Sequence, residues 1–133
     1  MNQQELSAEE LAPMTRRALE SGDLEGYADI LDPNVRWGAP GDAAPPCQNR
    51  RQVLEWYGRG REQGRRATVL EVVPAGDKVL VSMMVSTPDE AGQIRESQRW
   101  QVLTVGGGLV VDIRGYDIRD QALAAAGISG DAI

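Results

Sequence analysis

Apolar positions at helical spacing in the first part of the chain predict two helices. Ser7 and Glu10 form a capping box, because the serine hydroxyl and the glutamate carboxylate can each satisfy a free backbone N–H where a helix begins. Gly22 suits the left-handed residue that ends this helix, and Asp23 can cap a second helix that runs to about residue 31. The apolar face of the first helix consists of Leu11, Met14, Ala18 and Leu19.

Beyond a predicted turn at 32–34, the spacing of apolar residues changes to alternation, which is typical of strands. Val35, Trp37 and Ala39 alternate as in a short strand, and a loop rich in glycine and proline follows them. A third helix is predicted to begin at Asn49, with glycines that weaken its end. The remaining strands and the last helix are predicted at 67–73, 78–86, 93–105 and 109–116, and at 119–126.

Helices that come before a run of strands indicate an α+β fold. At 133 residues the chain is expected to form one domain that is large enough to fold without disulfides. A curved antiparallel sheet must bury one face, and the N-terminal helices are the elements that can cover it. We therefore expect a cone-shaped curved antiparallel sheet with a cavity at its open end.

Charge and composition narrow the classes of function. The formal net charge of −6 disfavours nucleic acid and anionic membranes as partners, since both need a positive field. The chain has no histidine and one cysteine, Cys47, so we expect no disulfide, no metal site and no histidine-dependent triad, and no cofactor. The polar, acidic start of the sequence and the lack of an apolar run of about 20 residues favour a cytoplasmic protein.

Three stretches carry a resemblance to a known superfamily: ALESGDLEGYADILDPNVRW, PPCQNRRQVLEWY and RWQVLTVGGGLVVDIRGYDIRDQALAAAG. They resemble the nuclear transport factor 2-like superfamily, in particular its SnoaL-like (polyketide cyclase) and ketosteroid isomerase branches. The resemblance covers residues 11–127. It implies a cystatin-like α+β barrel, a single SnoaL-like domain over 1–133, a small hydrophobic molecule as partner, and a homodimer through the outer face of the sheet.

The catalytic groups of the ketosteroid isomerases are missing at the matching positions. Those enzymes use a carboxylate base at the end of the first strand, and the matching residue is Ala39. Their oxyanion hole pairs a tyrosine with a protonated aspartate, and the matching residues are Thr15 and Trp100. Trp56 and Tyr57 do match two pocket aromatics of that branch. The resemblance therefore implies a pocket without the isomerase mechanism.

Limonene-epoxide-hydrolase-like members offer a second template, an Asp–Arg–Asp arrangement that activates water. Acidic and basic residues do occur on the last two predicted strands, but their alternation argues against this arrangement. If Trp100 faces the pocket, Glu96 and Gln98 face it too and Arg99 points away. On the last strand the resemblance turns Val111, Ile113 and Gly115 inward. Asp112 and Arg114 are then expected outside, in charge pairing or at a dimer face.

The candidate site combines carboxylates, a phenol and indoles. Glu96 and Asp117 are the expected acid and base near the cavity mouth, because burial beside indoles would raise a carboxyl pKa. Tyr57 completes the catalytic set as a phenol that orients a ligand oxygen. The alternatives are a solvated strand end for Glu96, a helix N-cap for Asp117 and core packing for each tryptophan. The expected ligand-binding residues are Trp37, Ala39, Trp56, Gln98, Trp100 and Ile113.

Two further features have both a functional and a structural interpretation. Cys47 lies near a helix N-terminus, where a thiol can become a nucleophile, but no histidine is present to activate it and packing is favoured. The arginine-rich stretch 50–66 is typical of a solvated helix face and is also compatible with an anionic ligand or an acidic partner surface.

The sequence thus predicts a cofactor-independent acid–base enzyme of the cyclase, isomerase, dehydratase or epoxide hydrolase type, acting on a hydrophobic substrate. The alternative is a noncatalytic ligand-binding or dimerisation module of the same fold. The first hypothesis requires Glu96 or Asp117 to lie in the cavity.

Overall fold

The computed structural model describes residues 6–129, which form four helices and one five-stranded mixed sheet. The order of strands in the sheet is β1-β5-β4-β3-β2. None of the helices within residues 6–129 is long and apolar enough to cross a membrane. In chain order the elements are α1 (Ala8–Ser21), α2 (Leu24–Ile30), β1 (Leu31–Gly38), α3 (Arg50–Glu62), β2 (Arg66–Ala75), β3 (Lys78–Pro88), β4 (Ile94–Gly106), β5 (Leu109–Tyr116) and α4 (Arg119–Ala126).

The predicted helix boundaries follow from local capping. Both halves of the capping box at the start of α1 are formed, and Gly22 ends the helix at φ 69°. Asp23 and Asn49 cap α2 and α3 by accepting backbone N–H groups from residues two and three positions on. The helix α4 has no side-chain cap, so Asp117 does not serve as its N-cap.

The first strand is longer than predicted and changes the type of the sheet. Residues 32–34 were expected to form a turn, but β1 begins at Leu31 and runs through them with an irregular register. Trp37 lies beside Ile113 of β5, and the two strands run parallel. The expected antiparallel arrangement therefore holds for the strands β2 to β5 and needs this correction at β1. The α+β class is confirmed.

Both faces of the central strands β3 and β4 are covered. One face packs in the main core with α1, α2 and β1, and contributes Val79, Val81 and Leu103. The opposite face belongs to a second cluster that includes α4. Alternate residues of one strand therefore enter different apolar clusters, since successive side chains point to opposite faces. The second cluster consists of Leu80, Trp100, Val102, Ala122, Leu123 and Ala126.

Candidate functional site

A cavity of about 340 Å³ lies between α3 and the face of the sheet that carries the main core. Its volume is at the small end of the range for ligand pockets. Leu19 and Met83 are almost fully buried and form its inner wall, while Trp56 at the side is 43% exposed. The apolar and aromatic wall consists of Leu19, Trp37, Trp56, Tyr57, Ala67, Met83, Val85 and Trp100.

The aromatic wall is held by β1 and α3. Trp37 exchanges two backbone hydrogen bonds with Cys47, at 3.0 and 3.2 Å, which fixes β1 against the loop before α3. The ring centroids of Trp37 and Trp56 lie 4.7 Å apart in an edge-on arrangement. Tyr57 contacts the buried Tyr27 with ring centroids 5.2 Å apart. Two indoles and a phenol, each held by a ring contact, therefore line the same cavity.

Positive charge borders the same cavity. Its lining includes the guanidinium-bearing residues Arg61, Arg65 and Arg66 from the end of α3 and the start of β2, together with Arg99 from β4. The Arg65 Cζ lies 5.3 Å from the centroid of the Trp56 ring, within cation–π distance. No aspartate or glutamate lines the cavity among the described residues 6–129.

Gly22 ends α1 in a left-handed conformation, and the guanidinium of Arg61 lies against it. A Cβ on Gly22 would lie 2.5 Å from the Arg61 Cζ, and the glycine has a φ of +69°, which L side chains rarely adopt. The guanidinium therefore packs on the carbonyl end of α1, where a positive charge is favoured by the helix dipole. This contact holds Arg61 at the cavity wall.

Known proteins share this architecture. A family model described as the SnoaL-like domain matches residues 14–113. This chain belongs to the SnoaL-like family. None of the curated proteins matches it.

Solved structures share the fold that the resemblance to the nuclear transport factor 2-like superfamily implies. Bal32a, from a soil-derived mobile gene cassette, is 27% identical over 86% of this chain and 94% of that chain, with a TM-score of 0.70. A nuclear transport factor 2-like protein of unknown function from Burkholderia pseudomallei is 15% identical over 88% and 95%, with a TM-score of 0.68. A protein from Kribbella flavida assigned as a ketosteroid isomerase is 21% identical over 81% and 75%, with a TM-score of 0.66.

Of the three residues of β4 predicted to face the cavity of this SnoaL-like chain, Trp100 does border it, whereas Glu96 and Gln98 lie outside the lining. Arg99 pairs with Met83 across the sheet, and both line the cavity. The alternate residues therefore point to the other face: Trp100 packs in the second cluster, although it also borders the cavity, and Gln98 donates to the Ser82 Oγ at 3.1 Å. Glu96 is exposed and lies outside the cavity lining.

Asp117 also lies outside the cavity lining, but it contacts a residue that belongs to it. Its carboxylate is 2.9 Å from the Arg99 Nε. The side chain of Asp117 is 73% exposed, so it is not the buried carboxylate that acid–base chemistry beside the indoles would need.

The remaining predicted residues lie in the cavity, in the core or, in one case, at the surface. Trp37, Trp56 and Tyr57 line the cavity. Ala39 is exposed beyond the end of β1, and Ile113 is fully buried in the main core, so neither lines the cavity. Thr15, which matches the isomerase tyrosine, donates its hydroxyl to the carbonyl of Leu11 at 2.9 Å and is fully buried.

Asp112 and Arg114 form a structural ion pair on the outer face. The Arg114 Nε and Nη2 donate to the two carboxylate oxygens of Asp112 at 2.9 and 3.0 Å. The Arg114 Nη1 also donates to the carbonyls of Ala39 and Asp42 at 2.8 and 2.9 Å. Hydrogen bonding to Asp112 raises the pKa of Arg114, although burial opposes this shift. The pair joins β5 to the loop after β1 and does not form an epoxide hydrolase triad.

The cavity residues that sequence reasoning missed are on β4 and after α3. Arg99 and Gln101 line the cavity because β4 presents its odd-numbered residues to it. Leu103 and Val105 share that parity and pack in or against the main core, but Trp100 and Val102 on the other face are equally apolar, so the sequence alone does not identify the inner face. Within residues 6–129, no three His, Cys, Asp or Glu side chains are grouped so as to hold a metal ion.

Cys47 is expected to react slowly with iodoacetamide in the folded protein. The residue is only 5% exposed, and burial raises the pKa of its thiol, although the charge of Arg59 opposes this shift. The reactive thiolate is therefore scarce at neutral pH, and its sulfur is shielded. Alkylation followed by mass spectrometry should be much slower in buffer than in guanidinium chloride at the same pH. Equal rates in the two solutions would contradict a packing role for this thiol.

Proposed function

We propose that this chain is a noncatalytic SnoaL-like protein that binds a small aromatic molecule in the cavity between α3 and the sheet. The observation that carries the proposal is the aromatic wall, in which Trp37, Trp56 and Tyr57 meet around a space of about 340 Å³. Flat, rigid side chains bury a large apolar area and favour planar ligands.

Binding is favoured over catalysis because the described residues that line the cavity include no carboxylate. An acid–base reaction needs a group that gives and takes a proton within hydrogen-bond reach of the substrate. Glu96 and Asp117 do not line the cavity, and arginine keeps its proton in proteins. Tyr57 is the lining residue that still supports the second candidate, a cofactor-independent acid–base enzyme, because a phenol can donate a proton to a ligand oxygen. The homodimer through the outer sheet face and the cytoplasmic location stay predictions.

Thermal unfolding with aromatic ligands tests the proposal. A ligand that binds only the folded state raises the melting temperature as its concentration exceeds the Kd. We expect a neutral probe such as naphthamide to stabilise the wild type, and Trp56→Ala to weaken its binding by about tenfold or more, since the indole supplies much of the apolar contact.

Leu70→Ala is the matched control, because Leu70 is a large apolar residue with a similar exposure, 46%, that lies outside the cavity lining. This variant should bind like the wild type. Equal binding by the Trp56 variant, or no stabilisation of the wild type by naphthamide, steroids or aromatic polyketides, would count against a ligand in this cavity. Turnover that is lost in Tyr57→Phe while binding is kept would favour the enzyme instead.

A further inference from the structure

We infer that the ligand of this cavity is an aromatic carboxylate, whose anionic group is held by Arg65 and Arg99 at the solvent end while its rings contact the tryptophans. This inference rests on the proposed function and adds the charge of the ligand to it. It is carried by the position of the arginines relative to the aromatic wall.

Positive charge is concentrated around this cavity, although the chain as a whole is negatively charged. The protein carries a net charge of −6, and yet Arg61, Arg65, Arg66 and Arg99 all border one cavity whose described lining contains no carboxylate. A recess lined by charges of one sign raises the local concentration of ligands of the opposite sign. The cavity therefore favours anions in a protein whose overall charge repels them.

The charge lies at the open end of the cavity and the apolar wall lies deeper. Arg66 and Arg99 are exposed, and Arg61 and Arg65 are partly exposed, whereas Leu19 and Met83 are 4% and 5% exposed. A ligand that uses both parts must have an apolar body and an acidic end. Since the walls are formed by aromatic rings, a planar body makes the most contact with them.

Two of the four arginines can bind the acidic group at little cost. Arg65 has no carboxylate within 4.0 Å among residues 6–129 and lies over the Trp56 ring, which restricts its guanidinium while leaving its N–H edge available. Arg99 is bound to Asp117, but this ion pair is 52% and 73% exposed, and such pairs contribute little to stability. A ligand carboxylate can therefore replace Asp117.

The other two arginines are held by the protein. The Arg66 Nη1 donates to the backbone carbonyls of Arg61 and Arg65 at 2.8 Å each. These two hydrogen bonds close the turn between α3 and β2. Arg61 packs on Gly22 at the end of α1. A carboxylate fits the remaining arginines because the guanidinium fork binds its two oxygens in one plane. A carboxylate attached directly to an aromatic ring lies close to the plane of that ring, beside the stacked Trp56 and Arg65.

The test compares naphthoate with naphthamide, which has the same shape and no charge, by titration of the tryptophan fluorescence. We expect naphthoate to bind roughly tenfold to a hundredfold more tightly at low salt, as for a charge-assisted hydrogen bond, and this preference should shrink as salt is added. Arg65→Gln should remove most of the preference, so that naphthoate and naphthamide bind with similar affinity. Arg99→Gln should reduce it as well.

Matched variants distinguish a direct contact between arginine and the ligand carboxylate from an effect of the protein's net charge. Arg51→Gln also removes one positive charge from α3, but Arg51 is 78% exposed, pairs with Glu55 and lies outside the cavity lining, so naphthoate should bind as in the wild type. Asp117→Asn releases Arg99 and should tighten naphthoate binding several-fold. Asp120→Asn makes the same change of charge at a side chain that is 92% exposed, pairs with Arg119 and lies outside the lining, and should have little effect.

Each other result has a defined meaning. Equal affinity for naphthoate and naphthamide would overturn the anionic ligand and leave the proposed cavity function standing, whereas no binding of either by the folded wild type would overturn both. Equal losses of naphthoate affinity in the Arg65 and Arg51 variants would show that net charge, and not a contact with Arg65, attracts the anion. Displacement of naphthoate by inorganic phosphate at equal concentration would overturn the aromatic carboxylate in favour of a general anion site.

Discussion

Replacing Ile113 with alanine is expected to lower the free energy of unfolding by about 2–5 kcal/mol. The side chain is fully buried, and its strand β5 lies between β1 and β4, where Ile113 pairs with Trp37 and Leu103. The variant leaves a cavity in the main core that the surrounding strands cannot close, because both neighbours are fixed by backbone hydrogen bonds. Urea denaturation followed by circular dichroism measures the change.

Ile94→Ala is the matched control for this variant. This variant loses the same side-chain atoms at the start of β4, where Ile94 is 63% exposed. The free energy of unfolding should therefore change by no more than about 0.5 kcal/mol. Similar losses in the two variants would show that Ile113 is not the core residue described here. A loss of ligand affinity in Ile113→Ala without a loss of stability would restore its predicted role in binding.

Arg114→Met is expected to lower the free energy of unfolding by about 1–3 kcal/mol, because charged hydrogen bonds of this kind contribute that much when they are mostly buried. The methionine keeps the apolar stem but loses four hydrogen bonds, two to the Asp112 carboxylate and two to the carbonyls of Ala39 and Asp42. The Asp112 carboxylate is then left without its partner in a site where its side chain is only 26% exposed.

The control for this prediction is Arg119→Met, since Arg119 is 43% exposed and its nearest carboxylate oxygen, on Asp120, is 4.0 Å away. Its effect should stay within about 0.5 kcal/mol. Asp112→Asn, alone and combined with Arg114→Met, completes a double-mutant cycle that isolates the pair. A cycle with no coupling, or equal effects of the two arginine variants, would reject the ion pair as the bond between β5 and the loop.

The helices and the last strands could be predicted because their signals are local. A capping box, a glycine at a left-handed position and an alternating run each act within a few residues, and the bounds of β5 and α4 agree with the prediction. The start of β1 could not be predicted in this way. Asp32 and Pro33 are typical of a turn, and the Asn34 N–H does donate to the Asp32 Oδ1 at 2.8 Å, but Leu31 and Arg36 on either side of this irregular segment pair with β5 and keep it within the strand.

The inward face of β4 could not be read from the sequence because both of its faces are apolar. Leu103 enters the main core, while Trp100 and Val102 enter the cluster with α4. A strand that is covered on both sides loses the alternation that identifies its inner face. The family resemblance aligns Trp100 with a pocket residue, which predicts that the even-numbered residues of β4 face the cavity. Glu96 and Gln98 are then expected inside the cavity and Arg99 outside it.

The role of the arginines at the cavity could not be predicted from composition. The stretch 50–66 is unusually basic, and its composition is typical of a solvated helix face and also compatible with an anion site. Composition cannot distinguish these roles, because the direction of Arg65 depends on where the chain turns after α3. The structure brings Arg65 over Trp56 by a bond from its backbone N–H to the carbonyl of Gly60 at 2.9 Å.

The parallel pairing of β1 with β5 also affects how the protein is made. The strand that carries Trp37 is synthesised early, but its neighbour Ile113 is on the last strand to be synthesised. β1 therefore has no edge to join until most of the chain has left the ribosome, whereas β2 to β5 can pair one after another as they emerge. Trp37 can therefore reach its place beside Ile113 only after β5 has been synthesised, and we expect a chain that ends before β5 to lack this part of the cavity wall.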